Sequence, residues 1–217
     1  MSLYDKVTYP TVNMGYVEKY CTYIASRFMA DGPLLDLGCG NMSYLDAFRG
    51  HTECYGLDRR REREDPSMHV CDFERDEMPF EDNFFGTIHS KSVFEHIYNP
   101  ELILKECYRT LCPGGNIVIL VPDWRTQWRF YYDDYSHVHP YTRRGLRNLL
   151  EMNKFKDVKC ETFYPLPFVW GRSWLEWIPQ AVSMLPDGAM WKTKEEREYR
   201  TLIRFSKGSM LLAYGTK

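Results

Sequence analysis

The chain has 217 residues, 44% hydrophobic and 16% aromatic, enough apolar material for a substantial α/β domain and too much for disorder. Lys plus Arg number 28 against 30 Asp plus Glu, so the basic excess that general nucleic-acid binding needs is absent. The seven cysteines form no C-x-x-C pair, no apolar run reaches membrane-spanning length, and Met1-Ser2-Leu3-Tyr4-Asp5-Lys6 opens no signal peptide, so buried free thiols and a cytoplasmic location are expected.

In chain order, Val17, Cys21, Ile24 and Phe28 share one helical face and predict a helix over 12–30. Next comes Leu34-Leu35-Asp36-Leu37-Gly38-Cys39-Gly40-Asn41, the most informative stretch of the chain. Apolar residues end on a carboxylate and two glycines alternate, as in a buried strand entering a tight turn where backbone approaches a ligand closely. A helix over 42–49 follows, then a second strand, Cys54-Tyr55-Gly56-Leu57, closed by Asp58. A glycine turn followed by an acid at this distance is how an α/β fold grips a nucleoside, the acid taking the ribose hydroxyls. The mixed-sign run Arg59–Asp65 reads as a solvated loop. Met68-His69-Val70-Cys71 is a third strand ending at Asp72, an acid that either accepts from an adenine amine or caps the next turn.

Phe84–Ser90 is a fourth strand. Asn99 and Pro100 supply an N-cap and a first-turn proline for a helix that buries Ile103, Cys107 and Leu111. Pro113-Gly114-Gly115 is a turn, and 116–121 a strong buried strand. Thr142 caps a helix carrying Leu146, Leu149 and Leu150 inward; 157–163 and 208–215 complete the strands. Strands alternating with helices imply a parallel sheet with right-handed crossovers.

Residues 164–205 interrupt this alternation and hold Trp170, Trp174, Trp177 and Trp191. Trp174, Leu175, Ile178, Ala181, Val182 and Leu185 share a face of a helix predicted over 173–185. That face closes over the active site, pairs with a second copy as a homodimer, lies on a membrane, or packs on the domain's own core. Few basic residues border it, which weakens the membrane reading. A lid is the preferred functional reading, since excluding water helps group transfer.

The identity of the nucleoside turns on two positions. The dinucleotide fingerprint asks for Gly or Ala at its third position, where this chain has Ser43 preceded by Met42. It does not ask for an acid two residues before the first glycine, where Asp36 stands. A carboxylate at the strand's end suits a ligand with a positive amino group. S-adenosylmethionine has both a ribose and an α-amino group, whereas NAD has no such amine. A structural βα turn is the plain alternative.

These motifs together resemble the class I S-adenosylmethionine-dependent methyltransferases, particularly the small-molecule branch typified by ubiquinone- and menaquinone-biosynthesis enzymes. Asp36–Asn41 is similar to their first motif, Asp58 to the ribose-binding acid, Cys71-Asp72-Phe73 to the adenine-site motif, Phe85–Ile97 to the strand-four motif, and Leu111–Gly115 to the turn before strand five. The resemblance implies a Rossmann-like α/β fold with a seven-stranded sheet in the order 3-2-1-4-5-7-6, strand seven antiparallel, as a single domain over 1–217 with a cap insertion at 164–205. It implies cofactor contacts from Asp36, Gly38, Cys39, Gly40, Asp58, Asp72, Phe73 and Ser90. Two positions depart from the pattern. Met42 replaces the third glycine, where a side chain is expected to crowd the methionine end of the cofactor, and Gly86 replaces the acid usual at the start of strand four.

The sulfonium is already an excellent leaving group, so the enzyme mainly aligns the nucleophile and excludes water. Oxygen and nitrogen acceptors also call for a base, and histidine suits neutral pH. His137 and His139, in the loop after strand five, are the candidates for base or substrate anchor; the plain alternative is that one of them orders the loop through backbone. Asp133, His137 and His139 include an H-x-H pattern of the kind found in metal sites, but no other clear ligand cluster supports it and no metal site is assigned. The expected acceptor is a small or medium-sized, partly apolar metabolite. A protein methyltransferase and a non-catalytic cofactor-binding subunit are the alternatives.

Overall fold

Strand β1 (Leu34–Leu37) is buried at every position, as a strand covered on both faces must be. The structure is a computed structural model and describes residues 13–186 and 201–217. Around β1 lie β2 (Cys54–Asp58), β3 (Met68–Val70), β4 (Phe85–Lys91), β5 (Leu111–Pro122), β6 (Lys156–Phe163) and β7 (Met210–Thr216). They form one sheet in the order β3-β2-β1-β4-β5-β7-β6, parallel except for β7, which runs antiparallel between β5 and β6. The order is the one expected from the sequence.

Two apolar layers cover the sheet, and alternate strand residues feed each. Leu35, Leu37 and Ile88 face a layer with Ile103, Leu104 and Cys107 of α3 (Pro100–Thr110) and Leu146 and Leu150 of α5 (Arg143–Met152). Leu34, Val118 and Leu120 face the other, with Val17, Tyr20, Cys21 and Ile24 of α1 (Met14–Phe28) and Leu45 and Phe48 of α2 (Ser43–Phe48). α1 starts at Asn13, whose side chain accepts from the Tyr16 N–H at 3.1 Å, so the helix is shorter at each end than 12–30. Thr142 caps α5 as expected, accepting from the Gly145 N–H at 3.2 Å.

Several local expectations are corrected. Asn99 makes no side-chain cap; its backbone N–H and that of Tyr98 instead donate to the Glu74 carboxylate. Pro113-Gly114-Gly115 is no separate turn but an irregularity inside β5, where pairing with β4 jumps from Phe85–Leu111 to Thr87–Asn116. The backbone of Lys217 bonds to Gly114 and Gly115 there and extends the ladder. Gly86 is required by space: a Cβ on it would lie 2.2 Å from the Asp31 carbonyl oxygen, which is why no acid stands there.

The predicted helix 173–185 breaks into a 3₁₀ turn (Ser173–Leu175) and a short helix α6 (Trp177–Ser183). Pro179 is the reason, because a proline is tolerated only in a first turn and so fixes the helix start just before it. Of the predicted apolar face, Trp174 is 71% exposed, and Trp177 on α6 is 63% exposed. Trp170 packs against Tyr16, Tyr20, Tyr23 and Phe163 and donates its indole N–H to the Tyr164 carbonyl at 2.8 Å. This tryptophan is therefore part of the packing against α1. Trp191 falls outside the described residues. A further helix, α7 (Thr201–Lys207), precedes β7 and was not anticipated. The short helix after β5, α4 (Trp124–Gln127), starts at Asp123, whose carboxylate accepts from the Arg125 N–H.

Candidate functional site

β1 leads to α2 on one face of the sheet and β4 leads to α3 on the other. The neighbouring strands β1 and β4 therefore mark the point where the strand order reverses, and the crevice outside their carboxyl ends is the ligand site of such folds. The glycine turn after β1 sits in this crevice. Gly38 (φ +78°) and Gly40 (φ +47°) both have left-handed backbone. A Cβ on Gly38 would meet Val93 Cγ2 at 2.1 Å, so the turn packs directly on the segment after β4. A Cβ on Gly40 would meet nothing within 4 Å; this residue opens onto free space, the feature a close-lying cofactor needs.

Asp58, at the tip of β2, accepts from the Gly40 N–H at 2.9 Å and from the Arg60 N–H at 3.2 Å, and burial raises its pKa. It thus joins the glycine turn to the second strand. The Cys39 side chain turns inward, its sulfur 2.8 Å from where a Cβ on Gly56 would stand, which makes glycine necessary at 56. Burial raises the Cys39 thiol pKa strongly, so only the backbone of Cys39 faces the crevice chemistry. Met42 has φ +65° and is fully buried among Leu45, Phe48 and Cys39. The expected crowding of the cofactor is therefore corrected: its side chain enters the core.

Asp36 lies on the same edge but is only 3% exposed. Its carboxylate accepts from His89 Nδ1 at 2.8 Å, which leaves His89 Nε2 to accept the Tyr20 hydroxyl proton at 2.9 Å. Asp36 and His89 are register partners on β1 and β4. Burial pushes the Tyr20 pKa upward, which keeps its hydroxyl a donor. Sequence reasoning missed this pairing, although two polar residues inside adjacent apolar strands were its signal. Ser90 is buried, with its hydroxyl donating to the Leu37 carbonyl at 3.1 Å. Asp72 accepts from Arg59 Nε at 3.0 Å and from the Glu74 N–H at 3.2 Å; Arg59 also pairs with Glu74 and lies over the buried Phe73 ring at 5.7 Å. The charge run is thus an ion-paired loop rather than a simply solvated one.

The loop after β5 is fastened to the 3₁₀ turn after β4 (Phe94–His96). The Glu95 carbonyl accepts from the Val138 and His139 N–H groups at 2.8 and 3.0 Å. His139 Nδ1 bonds to the Ile97 carbonyl at 3.2 Å and its ring stacks on Tyr141. His137 Nδ1 bonds to the Tyr131 carbonyl at 2.7 Å. Both rings therefore order the loop through backbone. Asp133, expected beside them, belongs to a separate 3₁₀ turn (Tyr131–Asp133). The structure instead brings together Glu95, His96 and His137. Glu95 is fully buried, burial pushes its carboxyl up to about 8, and burial with the nearby His137 lowers His96. Glu95 was not singled out from the sequence; its signal was an acid within the apolar run Val93–Ile97.

A sheet in this order, parallel except for β7, with an open glycine at the β1 tip and an acid gripping it from β2, has the arrangement of a nucleoside-binding α/β domain. A family model described as a methyltransferase domain matches residues 15–159. A SAM-dependent methyltransferase of Archaeoglobus fulgidus superposes with a TM-score of 0.69 at 17% identity, covering 99% of this chain and 98% of that one. A complex of the Haloferax volcanii Trm112 methyltransferase activator with a putative methyltransferase gives 0.65 at 17% identity, over 93% and 88%. A phosphoethanolamine N-methyltransferase of Haemonchus contortus, in complex with S-adenosylhomocysteine, gives 0.59 at 16%, over 92% and 52%. Over 122 residues the chain is 30% identical to an uncharacterized 37.1 kDa protein in transposon TN4556 of Streptomyces fradiae, and spans about a third (35%) of that relative's length. The chain belongs to the methyltransferase-domain family, whose model matches residues 15–159, and it shares the fold of the S-adenosylmethionine-dependent methyltransferases on which it superposes. Among the described residues no helix is long and apolar enough to cross a membrane.

Proposed function

We propose that the protein transfers the methyl group of S-adenosylmethionine to a small or medium-sized, partly apolar metabolite. The observation that carries the acceptor class is the aromatic loop after β5, at the edge where the cofactor turn lies. Trp124 stands edge-on to Tyr131 and Tyr132 at 5.3 and 5.9 Å, and those two rings are 5.2 Å apart. Tyr131 is buried, so the half-buried Trp124 and the exposed Tyr132 offer the faces suited to an apolar body, and the balanced charge gives no footprint for nucleic acid.

In this reading the cofactor lies along Gly38, Cys39 and Gly40, with its ribose on Asp58 and its adenine beside Asp72 and Phe73. Asp36, held by His89, and Ser90 form the floor under its methionine end. The methyl carbon then points toward the β4 and β5 loops, where His137 and His139 serve as base or anchor for the acceptor. The chain's own work is alignment and exclusion of water.

The test is turnover across a panel of hydroxyl, amine and thiol metabolites, read as S-adenosylhomocysteine formed. Turnover on one or more supports the reading; cofactor binding with no turnover on any favours a non-catalytic subunit. The exposed Trp174 and Trp177 suit a partner surface, either a second copy through 164–205 or an activator like the one bound by the Haloferax neighbour. Size-exclusion chromatography of the chain alone separates these: a dimer supports the first, a monomer the second.

A further inference from the structure

We propose that Glu95, His96 and His137 form a binding site for one divalent first-row transition-metal cation. A carboxylate oxygen of Glu95 and one ring nitrogen from each histidine lie within 4.8 Å of one another. Both Glu95 oxygens are buried without a hydrogen-bond partner. A buried carboxylate in that state bears a desolvation penalty that its own backbone N–H and the charge of Lys91 offset only in part. A proton on Glu95 would remove the charge but leave a buried hydroxyl still lacking an acceptor. A cation answers both oxygens.

The histidines are prepared for this role by their other nitrogens. His137 Nδ1 lies 2.7 Å from the Tyr131 carbonyl oxygen, which can only accept, so Nδ1 carries the proton. His96 Nδ1 lies 3.2 Å from the Ser136 carbonyl and 2.9 Å from Ser136 Oγ. That hydroxyl sits 2.6 Å from Asp134 Oδ1 and gives its proton there, so His96 Nδ1 is a donor as well. Nε2 therefore carries the lone pair in each ring. Metal-binding imidazoles are held in this way, by donation from the other ring nitrogen to a carbonyl or carboxylate system. Asp134 Oδ2, 3.7 Å from His137 Nε2, stands close enough to join or balance the charge.

Two imidazoles and one carboxylate suit Zn²⁺, Mn²⁺, Fe²⁺ or Co²⁺, whereas Mg²⁺ and Ca²⁺ prefer oxygen donors. Bonds of about 2.0–2.2 Å set donors roughly 3.0–3.5 Å apart, so the three side chains must draw in by about an ångström. Val93, packed on Gly38, puts this cluster next to the cofactor turn. A cation with three protein ligands keeps positions open for an acceptor oxygen and lowers the pKa of what it binds. With His137 as a ligand, His139 is the remaining base candidate.

The experiment is calorimetric titration of the chelator-treated full chain with Co²⁺, Zn²⁺ and Mn²⁺, with the visible spectrum of the Co²⁺ form. One equivalent of at least one cation is expected. Glu95→Gln and His137→Gln should each weaken it by more than about 100-fold, beyond what an outer partner is worth, while S-adenosylhomocysteine affinity is retained. Absence of one-equivalent binding for all three cations overturns the proposal, as does equal affinity in folded Glu95→Gln. If the variants do not fold, proton NMR of the wild-type Co²⁺ form decides. Two hyperfine-shifted imidazole N–H signals support the site, and any other number overturns it. S-adenosylhomocysteine titrated in parallel separates this outcome from a failure of the methyltransferase reading.

Discussion

At the scale of single residues, Met42 shows how side-chain direction decides function. Its φ of +65° is strained for a non-glycine residue and costs about 1–3 kcal/mol. Burying its side chain is worth about 2–5 kcal/mol, which outweighs that strain. Met42→Gly should therefore lower stability by about 2 kcal/mol in urea denaturation, with S-adenosylhomocysteine affinity unchanged. A large loss of affinity would place the side chain in the cofactor site. Asp58 is the opposite case, since it already grips the Gly40 N–H from the next strand. Asp58→Ala removes charge-assisted hydrogen bonds worth about 1.5–3 kcal/mol each. Calorimetry should show cofactor binding about 10- to 100-fold weaker, and unchanged affinity would remove its ribose role. The order of Asp36, Gly38, Gly40 and Asp58 was legible because short-range spacing sets it. The His89–Asp36 bond and the Glu95–His96–His137 cluster were hidden, because each depends on pairing between strands or loops some 40–50 residues apart.

Among the elements, local capping chemistry was legible where the side chain had no better partner. Thr142 caps α5 through the Gly145 N–H, and Thr142→Ala should cost about 1 kcal/mol in thermal or urea unfolding. No change would mean that the helix start is fixed by tertiary packing alone. Asn99 failed as a cap because Glu74, from a distant loop, reaches the backbone N–H groups of Tyr98 and Asn99. Helical periodicity over 173–185 misled because it counts apolar residues and ignores the missing N–H of Pro179. The Pro113-Gly114-Gly115 segment reads as a turn in isolation. It becomes strand because the far end of the chain, Lys217, pairs with it.

For the whole molecule, seven strands in the order β3-β2-β1-β4-β5-β7-β6 leave one crevice where β1 and β4 part. That crevice gathers the open Gly40 and the acid Asp58, which accepts from the Gly40 N–H. The loops after β4 and β5 are held to each other by the Glu95 carbonyl, which accepts from the Val138 and His139 N–H groups. The sequence motifs carried this architecture because alternating strands and helices allow few arrangements. The most direct measurement is a crystal structure of the protein soaked with S-adenosylhomocysteine. The account predicts the compound along Gly38–Gly40, with its ribose hydroxyls on Asp58 and its adenine beside Asp72 and Phe73. A compound lodged elsewhere, or a crevice closed by protein atoms, would contradict it.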